Sequence, residues 1–236
     1  MVDICVTGYL KTMSSARLNK VKRVLAARQD NLAVLMDHVH KPHNLSAIAR
    51  TCDAVGVANL HAVHPEFTDI GIHHHTAAGS KDWVHIMRHE SIDTAYQHLR
   101  TKTPNVQILA THLSDKAIDF REVDYTQPTV IVLGNELDGA STEACAGADE
   151  HIIIPMVGMV QSLNVSVAAA TILFEAQRQR QLAGLYKSYE SIEKPDTIDK
   201  NKVFEWMHPK IAKLYQARNQ AYPDLDEDGD ILPQSI

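Results

Sequence analysis

Ile152-Ile-Ile-Pro-Met-Val-Gly-Met-Val-Gln-Ser-Leu-Asn-Val-Ser-Val167 begins as an apolar run and stops at Pro155. It then crosses a loop around Gly158 and re-enters as a helix opened by Ser162 and Asn164. Buried strand, irregular loop and helix N-terminus in that order form the junction where α/β proteins hold ligands. One of Ser162 and Asn164 is expected to act simply as an N-cap. Neither has an obvious catalytic dyad partner, and Gln161-Ser-Leu is not a G-x-S-x-G nucleophile elbow, which argues against a serine hydrolase.

Outward from this stretch the chain alternates short apolar runs with helical patterns. Leu32–Met36, Asn59–Val63, Trp83–Met87, Val106–Ala110, Val130–Leu133 and His151–Ile154 read as strands. Ser14 and Ser15 suit the start of a helix through Arg28. A helix after His38–His43 places Leu45, Ile48, Ala49 and Cys52 at i, i+3, i+4 and i+7, with Gly56 as terminator. Further helices are expected from Ser91 to about Arg100, from Leu163 onward, and from Lys200 to Gln220. Val165, Ala168, Ala169, Ile172, Leu173 and Ala176 form one face of the Leu163 helix. Val167, Ala170 and Phe174 make its other side apolar, which predicts burial on all sides. The result is an α/β fold: a mostly parallel sheet with helices on both faces and extra helices at both termini. We divide the chain into a basic N-terminal arm (1–30), a central domain (31–176), a helical extension (177–222) and an acidic tail (223–236).

Composition sets further bounds. The 236 residues are 44% hydrophobic and 22% charged, which fits an ordinary soluble globular protein. No apolar run approaches the roughly 20 residues that span a bilayer, and Met1–Leu10 lacks the pattern of a signal peptide. The three cysteines, Cys5, Cys52 and Cys145, are far apart, as expected of a reduced cytoplasmic protein. The net charge of −6 is concentrated in Asp224, Asp226, Glu227, Asp228 and Asp230. That tail reads as solvated and disordered. Lys11–Gln29, in contrast, holds Lys11, Arg17, Lys20, Lys22, Arg23 and Arg28 with no acid, and reads equally as a solvated helix face or a nucleic-acid arm.

Two more segments carry chemistry. In His40-Lys-Pro-His-Asn-Leu-Ser-Ala-Ile-Ala-Arg50, Asn44 suits an N-cap, and five steps of about 100° set Arg50 some 140° away from Leu45. Arg50 is thus either a plain surface arginine or one facing a polar cleft. In Val130-Ile-Val-Leu-Gly-Asn-Glu-Leu-Asp-Gly-Ala-Ser141 the glycine spacing copies a P-loop, but Ala140 stands where the lysine belongs, and Glu136 and Asp138 would repel phosphate. An acidic Gly-rich loop better suits a ligand with hydroxyls and positive charge. The fourteen histidines, with the run His73–His75, lack H-E-x-x-H or C-x-x-C spacing, so no metal is expected. No two glycines sit two apart, which disfavours a G-x-G-x-x-G dinucleotide site.

Together, in order and spacing, Asn44–Arg50 with Gly56, Leu133–Gly139, and Ile153–Met156 with Ser162–Val167 resemble the three motifs of the SpoU branch of the SPOUT RNA methyltransferases. The basic first helix, Ala110-Thr-His-Leu-Ser114 and the helices after Gln177 are similar to members that methylate guanosine 18 of tRNA. The resemblance implies a SPOUT-type fold with a C-terminal trefoil knot, a homodimer, S-adenosyl-L-methionine as cofactor and 2′-O-methylation of a ribose in the tRNA D-loop. Ribosomal RNA as substrate, and a catalytically silent RNA-binding relative, are the alternatives. It implies catalytic roles for Arg50, Asn44, Glu136, Ser162 and Asn164. Cofactor contacts fall to Thr111, Leu113, Gly134, Asn135, Glu136, Gly139, Ile154, Met156, Ser162 and Leu163. RNA contacts are expected at Arg17, Lys20, Arg23, Lys41 and Arg178.

Overall fold

A computed structural model describes residues 15–63, 83–135, 137–188 and 198–232. Chain contacts divide it into a central unit, Arg28–Tyr186, and a terminal unit joining the segment up to Ala27 to the segment from Lys187.

The central unit contains a seven-stranded sheet: β1 (Gln29–Asp37), β2 (Val57–Val63), β3 (His85–His89), β4 (Gln107–Thr111), β5 (Ile118–Asp119), β6 (Thr129–Leu133) and β7 (Glu150–Ile153). The strand order is β3-β2-β1-β6-β4-β7-β5, and every pairing is parallel. The last strand enters between two earlier ones, consistent with the knotted path implied by the resemblance. Strand residues alternate between two cores. Leu32, Val34, Met36, Ile131 and Leu133 pack on one face with α2 (Pro42–Ala54) and α5 (Val165–Leu182). Ala33, Leu35, Val130 and Val132 pack on the other with α3 (Ile92–Lys102) and α4 (Thr142–Gly147). Both faces are covered, which is why these strands are apolar throughout.

Several expectations are corrected. The helix α1 (Ser15–Ala26) stops before Arg28. Arg28 turns into the central unit, where its Nη2 donates to Asp53 Oδ1 at 2.6 Å and to the Trp83 carbonyl at 3.0 Å. The third strand starts at His85, not Trp83. The helix expected over Lys200–Gln220 is two, α6 (Lys200–Met207) and α7 (Pro209–Ala217), because Pro209 cannot donate a helical hydrogen bond. The acidic tail is folded as far as Leu232. Leu225 bridges Ile231, Asp226 Oδ1 accepts from the amides of Asp228 and Asp230, and a His208 ring nitrogen lies 2.7 Å from the Gly229 carbonyl. Burial of α5 on all sides fails as well: Val167 and Phe174 are half exposed.

Arg180, on the last turn of α5, is fully buried. Its guanidinium donates to the carbonyls of Tyr125, Asn31 and Gln127 and to the side-chain oxygens of Gln29 and Asn31. These acceptors are all uncharged, and burial pushes its pKa down. The arginine fork pins α5 to the start of β1 and the entry to β6. Arg180→Ala is expected to cost about 3 kcal/mol or more, because several buried carbonyls lose their donor. Chemical denaturation would show this as a lower midpoint with an unchanged slope.

His61 on β2 is buried, with its Nδ1 2.9 Å from His89 Nε2. The ring of His98, on α3, lies 5.8 Å from His61 and 5.4 Å from His89. Burial first, then the neighbouring His89, His98 and His85, lowers the His61 pKa to about 4; His89 is lowered too, by burial and then His98. Between about pH 6.5 and 4 the unfolded chain therefore binds more protons than the folded one, so stability falls as pH falls. His61 alone should contribute about 3 kcal/mol of loss across that window. His61→Phe should flatten the stability–pH curve measured by urea unfolding at fixed pH values.

Candidate active site

The C-terminal ends of β4, β6 and β7 open into one cavity of about 650 Å³. Thr111, Leu113, Gly134, Asn135, Gly139, Ile154, Met156, Ser162 and Leu163 all line it. Thus every cofactor candidate from the sequence that lies among the described residues faces the same space. Glu136 lies outside the described residues. His112, Asp138, Gln161 and Ile172 also line the cavity and were not singled out as site residues. Their signal was adjacency to motif residues, since a lining segment contributes neighbours as well as its motif positions.

The loop after β6 is built tightly. Asn135 and Gly139 exchange backbone hydrogen bonds of 3.0 and 3.2 Å, and Asn135 Oδ1 accepts from the amides of Leu137 and Asp138 at 2.8 Å each. Gly139 has φ +74°, and a Cβ on Gly134 would lie 1.9 Å from the Gly139 carbonyl carbon. The loop is anchored from β1. Asp37 is fully buried; its Oδ2 accepts the Ser141 amide at 2.6 Å, and its Oδ1 pairs with His38 Nδ1 at 2.6 Å. Sequence reading missed Asp37, although a carboxylate ending the apolar run Leu32–Met36 was its signal. From β7, the His151 ring contacts Ser114 Oγ, in the loop after β4, at 2.9 Å and the Cys145 carbonyl at 3.0 Å. That ring meets the His112 ring in a T-shaped arrangement, with centroids 5.2 Å apart.

Asn164 is the N-cap of α5, its Oδ1 accepting the Ser166 amide at 2.8 Å. Its Nδ2 donates to Asn44 Oδ1 at 3.2 Å. Asn44 is not an N-cap. Pro42 starts α2 earlier, with Lys41 at the cap, and leaves Asn44 buried inside the first turn. The first and third motifs thus meet through two amide side chains. Arg50, farther along α2, is exposed, has no hydrogen bond or ion pair among the described residues, and is not among the cavity-lining residues.

Of the RNA candidates, Arg17, Lys20, Arg23 and Lys41 are exposed. Arg178 is exposed and held bidentately by Glu175 at 2.7 and 2.9 Å. Val157, Met159, Val167 and Phe174 present large apolar side chains to the surface, as does Val160 in the cavity wall. Among the described residues no helix is long and apolar enough to cross a membrane.

The profile of the SpoU rRNA Methylase family matches residues 31–174, and that of the SpoU rRNA methylase C-terminal region matches residues 178–234. The tRNA (guanosine(18)-2′-O)-methyltransferase of Escherichia coli (strain K12) is 50% identical over 93% of this chain and 94% of its own. A TrmH/SpoU tRNA modifying enzyme from A. aeolicus is similar in structure with a TM-score of 0.71 and 42% identity, over 86% of this chain and 96% of that one. The SpoU methyltransferase AviRb from Streptomyces viridochromogenes, solved with AdoMet, superposes with a TM-score of 0.59 and 31% identity, over 66% of this chain and 62% of that one.

Proposed function

The chain belongs to the SpoU methyltransferase family, and from that premise we propose that it methylates the ribose 2′-oxygen of guanosine 18 in tRNA, using S-adenosylmethionine. The observation that carries this reading is the convergence of the loops after β4, β6 and β7 on one cavity. The likeness to the E. coli enzyme spans nearly the whole chain, terminal helices included, which favours tRNA over ribosomal RNA. Work on tRNA would place the protein in the cytoplasm.

The cavity suits the cofactor. Its volume falls in the class of drug-sized ligand sites, of about 300–1,000 Å³. Leu113, Ile154, Leu163 and Ile172 offer an apolar seat for an adenine ring, with Thr111 and the nearby backbone for its polar edge. Asp138 supplies negative charge, which suits a cationic ligand. Bound there, S-adenosylmethionine supplies a methyl group already activated on a sulfonium centre.

The protein's task is then alignment and charge stabilisation. The paired backbone hydrogen bonds between Asn135 and Gly139 tie the two ends of that loop together, which limits the ordering needed on binding. The Asn44–Asn164 pair fixes the start of α5 against α2, and Ser162 positions ribose or cofactor. Glu136 is assigned to ordering the cofactor loop. Arg50 is assigned the developing alkoxide, with a neighbouring phosphate held by the same fork. A guanidinium is too weak an acid to serve as the base, so Arg50 lowers the barrier by electrostatics. In a single chain Arg50 stands outside the cavity lining. A homodimer that covers Val157, Met159, Val167 and Phe174 would let one protomer's arginine serve its partner's cavity.

The test is direct. Purified protein, radiolabelled S-adenosylmethionine and unmodified tRNA transcripts should give label on the 2′-oxygen of guanosine 18. Label on ribosomal RNA alone, or binding of tRNA without transfer, would overturn the proposal.

A further inference from the structure

His112 and Leu113 line the cofactor cavity, and Leu113 is 71% exposed. An exposed apolar side chain gives a loop little packing of its own, so its shape depends on hydrogen bonds. The two residues are tied on both sides. Before them, Thr111 Oγ1 donates to the Val132 carbonyl at 2.9 Å. After them, Ser114 Oγ lies 2.9 Å from His151 Nδ1, and the Ser114 carbonyl accepts the Ala117 amide at 3.0 Å.

His151 is in turn fixed by α4. Cys145 lies within the last four residues of that six-residue helix, whose carbonyls have no helical amide to accept. The amide that one more turn would have brought to it, that of Asp149, donates to the Ile108 carbonyl instead at 2.8 Å. His151 Nε2 takes that place at 3.0 Å. A carbonyl only accepts, so Nε2 carries the proton, and in the neutral ring Nδ1 keeps a lone pair. Ser114 Oγ therefore donates to Nδ1. The helix α4 follows the Asn135–Gly139 loop and is capped by Ser141. One imidazole thus ties the helix behind one wall of the cavity to the loop that forms another. The His112 ring packs on it in a T-shaped arrangement.

We propose that His151 is a positioning residue for the methyl donor: its bond to Ser114 holds His112 and Leu113 in the shape that S-adenosylmethionine meets. His151 is not itself among the cavity-lining residues. The inference rests on the methyl-transfer reading above and adds a residue that no motif marked. Without the bond the segment must be ordered when the ligand arrives, and that cost falls on affinity. A filled site is already ordered, so KM should rise while kcat at saturating cofactor stays near wild type.

The experiment separates the two bonds of the ring. Asn at position 151 keeps an acceptor near the Nδ1 position and gives up the Cys145 carbonyl. Gln keeps a donor near the Nε2 position and gives up Ser114. Calorimetry with S-adenosylmethionine should show Ser114→Ala and His151→Gln each binding about tenfold more weakly. The double variant should lose nothing further, since both remove one bond. His151→Asn should stay within about threefold of wild type, although its melting temperature falls at least as far as that of His151→Gln. A merely structural role would make affinity follow melting temperature. Unchanged affinity in Ser114→Ala, losses that multiply, or affinity that tracks melting temperature would overturn this inference alone. The expected pattern without methyl transfer to RNA would support the positioning role and reject the proposed reaction. A wild-type chain that binds no S-adenosylmethionine would overturn both.

Discussion

Arg50→Ala should lower kcat by about 10³-fold while moving the dissociation constant for S-adenosylmethionine by less than about twofold. The split follows from where Arg50 stands. It lies on α2, outside the residues that line the cofactor cavity, so cofactor affinity has no reason to depend on it. Its side chain is exposed and makes no hydrogen bond or ion pair among the described residues, so removing it should leave stability nearly unchanged. What it can supply is charge at the ribose oxygen, and donors aimed at developing charge are worth roughly two to three orders of magnitude in rate. Arg50→Lys keeps the charge and loses the planar fork, so it should recover only part of the rate. Single-turnover kinetics with saturating cofactor would separate the two parameters. Wild-type turnover in Arg50→Ala would remove the residue from the mechanism. A cofactor affinity that collapses with the rate would make Arg50 a binding residue.

The parallel sheet was legible because its strands are apolar on both faces, and only a sheet covered on both sides asks for that. The cavity was legible because its loops announce themselves: Pro155 and Gly158 break the third, and Gly134 and Gly139 bracket the second. What failed was local competition between signals. Asn44 is a good capping residue, but Pro42 is a better first helical residue, and the earlier start turned Asn44 into a buried partner of Asn164. Pro209 sits inside an amphipathic pattern that reads through it, and the break takes precedence. The acidic tail looked disordered because its charges repel. Its fold comes from backbone groups instead, with Asp226 closing a turn and Gly229 at φ +87° packed where a Cβ would lie 2.5 Å from Met207 Cε. The roles of Asp37 and Arg180 escaped notice for a shared reason. They are made of contacts more than 50 residues away in sequence, which no local pattern encodes.

Gly134→Ala should weaken S-adenosylmethionine binding by at least about 100-fold, whereas Gly139→Ala should weaken it far less. The two glycines bracket one loop and are glycines for different reasons. At Gly134 an added methyl would sit 1.9 Å from the Gly139 carbonyl carbon, 2.0 Å from the Ala140 nitrogen and 2.2 Å from the Gly139 oxygen. All three are backbone atoms, so no side chain can swing aside. The loop must open, which breaks the paired hydrogen bonds between Asn135 and Gly139 and shifts the wall that Asn135 and Asp138 present to the cavity. Loss of those two bonds and of the aligned wall is of order 3 kcal/mol, which is about 100-fold in affinity. At Gly139 a Cβ would meet nothing within 4 Å, and the cost is only the φ of +74°, worth about 1–2 kcal/mol for a residue with a side chain. That strain can be borne without moving the wall. Titration calorimetry on the two variants would give the ordering, with Arg50→Ala as the control that binds normally. Cofactor binding by Gly134→Ala within tenfold of wild type would mean that the loop opens freely. The closed turn would then not be what shapes the site.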